Sequence, residues 1–317
     1  MHVPSGKNLS SKMQDMKTEN FKKGVCYALC AAALNGSIGT LSKILLSSNM
    51  PTAWIASIKT IIGFVVVSVV LALFKRFNGA ERRYYLTAVA ALFGIFTLFY
   101  FETAAYSSMS AANVVVTLMA VSALTANLSG WWLLGDRPSR HQWIGFALTG
   151  VGISAILGIN LHVSLSGFIE ATCAGIGYGL FTVLLKKFEL KGGLALTRQL
   201  LFFGALFLLL PAIHQPLNLN MLTQPMAVFS LVSLAVFPTI LGFVFTTKAV
   251  DCLPPAKVQL LELSEPLFSA AIAFVVLGET VVFGTVIGAV FVVFGIYLGA
   301  IKQSPETFRA LKASSQL

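Results

Sequence analysis

Glu262 and Glu265 stand three residues apart inside a run, 260–279, that reads LLELSEPLFSAAIAFVVLGE and is otherwise apolar enough to cross a bilayer. A carboxylate in that setting can exchange a proton or meet a cationic group of a ligand, and it calls for a protein-lined surrounding because lipid solvates charge poorly. Helical spacing puts Lys257, Glu262 and Glu265 on one broad face. Eight residues of helix carry Glu265 about 12 Å deeper than Lys257. Glu262 reads either as a titrating or cation-binding group or as a structural partner. For Glu265 the structural reading is the stronger, with Arg198, which begins another apolar segment at similar depth, as expected counter-ion; a buried pair broken on one side is costly. Pro266 removes a backbone hydrogen bond and is expected to bend this helix, as a gate or as plain packing.

Further polar residues interrupt the other apolar runs. Asn35, in NGSIG, and Tyr178, in GIGYG, occupy the middles of two segments, where glycines admit a close neighbour or a ligand and the amide and phenol supply hydrogen bonds. Both are candidate pathway residues, as are Asn113 and Gln259, with Asn127 of the same kind. Tyr100, with Phe96, Phe99 and Phe101, forms an aromatic run that reads as a pocket wall or as lipid-facing and core surface. Glu102, Glu170 and Glu279 lie toward one membrane face, within reach in depth of Lys43 or Lys59, and such charges commonly reach for the interface. Asp136 and Glu279 follow a helix end and precede another, which suggests capping. Cys26, Cys30, Cys173 and Cys252 show no ligand spacing and read as packed thiols; no metal site and no cofactor is expected.

These residues must be held by membrane helices. The 317 residues are 56% hydrophobic and 11% charged, with mean hydropathy +0.83, a balance struck at the expense of charge. Apolar runs fall near 24–46, 53–74, 84–105, 110–134, 141–158, 167–186, 194–212, 226–247, 257–277 and 281–301. Their length suits α-helical spans rather than the roughly ten-residue strands of a barrel. The predicted fold is an all-α polytopic membrane protein of about ten transmembrane helices, with polar tails at 1–22, the first 20 or so residues read as mobile, and at 302–317. Placing both tails inside puts all but Lys43 and Lys59 of the 22 Lys and Arg on the cytoplasmic side, the asymmetry of the positive-inside rule. The net charge of +10 is read in the same way rather than as a nucleic-acid surface.

The chain also repeats itself. Gly24 and Gly167, Lys43 and Lys186, Gly145 and Gly288, and Gly152 and Gly295 are all separated by 143 residues, and Asp136 and Glu279 close matching LLGD and VLGE. Two five-helix copies, 23–158 and 166–301, follow. Five is odd, so the second copy is inverted, which places a binding site at the junction of the copies. GxxxG spacings in the last segment point to close packing more than to dimerisation.

With LLGD and RPSRHQWIGFALTGVGI ending one copy, VLGE and TVVFGTVIGAVFVVFGI ending the other, and SEP at 264–266, the chain resembles the EamA family of the drug/metabolite transporter superfamily over roughly 22–301. It departs from the family pattern where Ser122-Ala123 matches Glu265-Pro266, and where Asn35-Gly36 replaces Trp-Gly. The resemblance implies a bacterial inner-membrane transporter of small molecules, as monomer or homodimer. The expected function is secondary export of a small metabolite such as an amino acid or a related compound, with Glu262 a candidate for proton coupling. Multidrug efflux and metabolite uptake are the alternatives. There is no GxxxxGK[ST] for ATP, and the four scattered histidines make a membrane enzyme the weaker class.

Overall fold

A computed structural model describes residues 6–74, 83–109, 111–157, 164–217, 223–277 and 283–301. All its regular structure among these residues is helical, as expected where lipid offers the backbone no hydrogen-bond partner. In chain order the first copy contains α1 (Gly6–Asn35), α2 (Ile38–Ser47), α3 (Thr52–Leu73), α4 (Tyr84–Ala91), α5 (Leu98–Ser108), α6 (Ala111–Leu134) and α7 (Arg140–Leu157). The second contains α8 (Leu165–Lys187), α9 (Leu194–Ala212), α10 (Pro225–Leu234), α11 (Phe243–Cys252), α12 (Pro255–Glu262), α13 (Glu265–Leu277) and α14 (Phe283–Ile296). Among the described residues seven stretches are long and apolar enough to cross a membrane: Thr18–Ser47, Thr52–Leu73, Tyr84–Ser108, Asn113–Leu134, Leu165–Lys187, Leu194–Ala212 and Pro225–Cys252. The other expected segments are the shorter or interrupted α7, α12 with α13, and α14. Helix α1 starts at Gly6, well before the expected start near residue 24, so much of the polar tail is helical.

Several long rods change pitch or break. Asn35 ends α1, and Gly36 and Ser37 turn before α2. Between α4 and α5 the chain widens to a π-helix at Leu92–Thr97, and between α10 and α11 it does so at Ala235–Gly242. The two π segments begin 143 residues apart. In the second, Pro238 has no N–H for Leu234 O, and the Thr239 hydroxyl supplies that carbonyl at 2.8 Å; Thr97 does the same for Leu92 O at 2.8 Å. The change of pitch thus falls at the matching place in both copies.

Packing follows the repeat. Helix α3 lies along α9 and α7 along α14; α8 takes up α5 and α6, while α1 takes up α11, α12 and α13. An exchange of the two copies maps this set of neighbours onto itself. Four glycine contacts are reciprocal in the same way. A Cβ on Gly145 would stand 2.7 Å from Gly295 O, and one on Gly152 would stand 2.6 Å from Gly288 O. One on Gly36 would stand 2.9 Å from Ser269 N, and one on Gly179 would stand 3.0 Å from Ala126 N. Two α-helices approach this closely only where no side chain intervenes. The matched lysines also act alike. Lys43 Nζ donates to Met109 O at 2.8 Å and Lys186 Nζ to Val250 O at 3.1 Å. Each satisfies carbonyls left open at the end of its own copy's third rod.

Candidate functional site

The rod that carries the two acids is interrupted between them. Helix α12 ends at Glu262, Leu263 and Ser264 turn, and α13 starts at Glu265. The Ser264 hydroxyl donates back to Leu261 O at 2.8 Å. Pro266 therefore occupies the first turn of α13, where its missing N–H has no helical partner to lose. The expected bend at Pro266 becomes a break two residues earlier, and Glu265 lies at the positive end of a helix dipole.

Glu262 is fully buried. Tyr178 OH donates to its Oε2 at 2.8 Å, Thr246 Oγ1 to its Oε1 at 2.8 Å, and Gln259 Nε2 reaches Oε2 at 3.4 Å. Ser122 Oγ donates to Gln259 Oε1 at 2.6 Å, so α6, α8, α11 and α12 meet in one network. The sequence offered Glu262 no obvious partner; it has three. Donors to both carboxylate oxygens are the condition under which such a group is tolerated inside a protein. Tyr178 and Gln259 are thus brought to Glu262.

Beside this network lies a cavity into which both copies reach. Lys59 of α3, Phe99 and Glu102 of α5, Asn35 at the end of α1, Met119 of α6 and Ile38 of α2 come from the first copy. Tyr178 of α8, Pro238 and Thr239 of the π segment, Phe243 of α11 and Glu265 of α13 come from the second. Asn35 and Tyr178, 143 residues apart, both line it. The space is about 20 Å³, roughly one water's worth, so no metabolite fits it in this arrangement. Lys59 Nζ stands 4.0 Å above the centre of the Phe99 ring, a favourable placement for a desolvated cation. Tyr106 OH donates to Glu102 Oε1 at 3.1 Å.

Other expectations need correction. The cation that shares a cavity with Glu265 is Lys59; Arg198, half-buried in the second turn of α9, does not line it. Lys59 and Glu102 do not reach for the interface: they are 1% and 3% exposed. Tyr100 lies outside the cavity, stacked on Phe96 at 5.8 Å and edge-on to Phe101 at 5.3 Å; of that aromatic run, Phe99 is the cavity residue. Asn113 is half-buried near the start of α6, away from the cavity lining. Asn127 donates to Ala123 O at 2.9 Å within its own helix. Asp136 is exposed, and α7 is capped instead by Ser139 and Gln142, each side chain bonding the other's backbone N–H at 3.2 and 2.8 Å. Glu279 lies outside the described residues. Lys59 and Glu102 were legible as charges in apolar segments; Thr246 and Ser122, ordinary helix hydroxyls, carried no signal.

A helical body with apolar spans around a small cavity lined by ionisable side chains is the architecture of a polytopic membrane transporter. The EamA-like transporter family matches residues 22–158 and 165–300, and the chain belongs to that family; it is a transporter and not an enzyme. It is 27% identical over 202 residues, 60% of the chain and 67% of the relative, to a probable amino-acid metabolite efflux pump of Salmonella typhimurium. It is 20% identical over 290 residues, 91% and 96% of the two chains, to the uncharacterized transporter YwfM of Bacillus subtilis. A solved structure described as a crystal structure of protein aligns with TM-score 0.67 at 16% identity, covering 88% of this chain and 97% of the other, a likeness of fold.

Proposed function

We propose that the protein is a secondary transporter that exports a small metabolite, an amino acid or a close relative, across the bacterial inner membrane by alternating access. The copies 23–158 and 166–301 are two inverted five-helix repeats, which together make ten spans with both termini in the cytoplasm. The observation that carries this reading is the cavity at their junction, lined from both sides and entered at matching positions by Asn35 and Tyr178. The reciprocal glycine contacts support the two-copy reading, because a pair related by exchange can adopt two mirrored arrangements of similar energy. The name of the Salmonella relative points to amino-acid metabolites as the substrate class. Glu262, hydrogen-bonded from α8, α11 and α12, is the candidate for proton coupling.

Everted membrane vesicles from cells that overproduce the protein test the reading. Export in the cell appears as accumulation of labelled amino acid in these vesicles, abolished when the proton gradient is collapsed. Accumulation that survives collapse of the pH gradient removes proton coupling. Resistance to toxic compounds without amino-acid accumulation replaces metabolite export by drug efflux, and accumulation in right-side-out vesicles alone reverses the direction.

A further inference from the structure

The charges around the cavity are held differently from Glu262. That carboxylate has donors on both oxygens, and Glu102 receives the Tyr106 hydroxyl. Among the described residues, no hydrogen bond or salt bridge reaches Lys59 Nζ or the Glu265 carboxyl group; Lys59 rests on the Phe99 ring, with Glu102 as the nearby acid. Both side chains are more than nine-tenths buried. Buried ionisable groups left without hydrogen bonds are costly, so two of them facing one cavity mark a place where a ligand supplies what the protein does not. One is a lysine amine from the first copy and the other a carboxyl group from the second. The rest of the wall has an apolar part, with Phe99, Phe243, Leu118 and Met119, beside the polar Asn35, Glu102, Tyr178 and Thr239.

We propose, building on the transport reading above, that this cavity recognises zwitterionic α-amino acids by their two charged ends. Lys59 Nζ takes the carboxylate and Glu265 takes the ammonium group, while the apolar wall receives the side chain. Glu102, anchored by Tyr106, supplies negative charge near Lys59 and keeps the cation in the cavity. A derivative that lacks one charged end leaves one buried group bare, and a site built on hydrogen-bonded recognition rejects such analogues strongly. A cavity of about 20 Å³ is too small for an amino acid, and the ligand enters when it widens.

The test uses the full-length protein in proteoliposomes. The twenty protein amino acids are screened, and the best-transported one is compared with its amide and its N-acetyl derivative, each also assayed as competitor. The wild type is expected to prefer the free amino acid over both derivatives by at least tenfold. Lys59→Met is expected to lose the preference over the amide and keep that over the N-acetyl form; Glu265→Gln is expected to do the opposite. Lys59→Arg and Glu265→Asp should retain both preferences. Equal handling of all three compounds by the wild type overturns the proposal while leaving transport intact, and this result does not depend on whether a variant folds. Equal loss of both preferences in both variants also overturns it, since a structural role has no reason to be selective. Failure to carry any of the twenty overturns the amino-acid reading itself.

Discussion

Removing the Tyr178 hydroxyl while keeping its ring isolates one bond of the buried network. In Tyr178→Phe the aromatic stack on Phe181, with ring centres 6.5 Å apart, is retained, so no large cavity opens. What is lost is a 2.8 Å bond to Glu262 Oε2 and a weaker 3.2 Å contact with Thr246. Glu262 then keeps Thr246 at 2.8 Å on one oxygen and Gln259 at 3.4 Å on the other. A hydrogen bond to a charged group contributes about 1.5–3 kcal/mol, whereas neutral bonds between membrane helices average about 0.6 kcal/mol. The expected loss in wild type is therefore about 1.5 kcal/mol or more. In a Glu262→Gln background the same substitution should cost about 0.6 kcal/mol, which leaves a coupling of about 1 kcal/mol. Reversible unfolding in mixed detergent micelles, run on all four proteins of the cycle, gives the number. Independent sites add to within about 0.5 kcal/mol; additivity at that level would show that the hydroxyl does not act on a charged Glu262.

Three further outcomes follow from the packing. Gly152→Ala places a methyl 2.6 Å from Gly288 O and 2.8 Å from Val292 N, forcing α7 from α14 at a cost of about 1–3 kcal/mol, while Gly150→Ala, with nothing within 4 Å, is neutral or stabilising by thermal melting. Pro266→Ala should change stability by less than about 1 kcal/mol and leave transport within about twofold, because the break at Leu263 and Ser264 does not depend on the proline; a large loss of transport would restore the proline gate. A cysteine at exposed Asp136 should react with an impermeant maleimide in everted vesicles and not in intact cells if both termini are cytoplasmic.

Much of this protein is written in its composition and spacing. Apolar runs of span length dictate helices because an unpaired peptide group in lipid is prohibitive, and the 143-residue offset announces two related copies through pairs such as Gly145 with Gly288 and Lys43 with Lys186. Burial of Glu262, Glu265, Asn35 and Tyr178 was also readable, since each interrupts an apolar segment near its middle. The partners were not. Helical periodicity assigns a residue to a face of its own helix, and says nothing of which helix opposes that face or at what height. Depth in the membrane nominated Arg198 as the cation near Glu265, and the tertiary arrangement alone puts Lys59 at the cavity with it. Tyr178 lies 84 residues from Glu262, and Thr246 reaches it from across a helix break, so no local pattern joins them. The break itself falls before Pro266 because a first helical turn accepts proline without losing a bond, a fact that depends on where the turn starts. The sequence by itself marked Glu262, Glu265, Asn35 and Tyr178 as buried; the packing of the two copies added Lys59 and Glu102 and decided what each of them meets, because contact is a property of two surfaces and periodicity describes one.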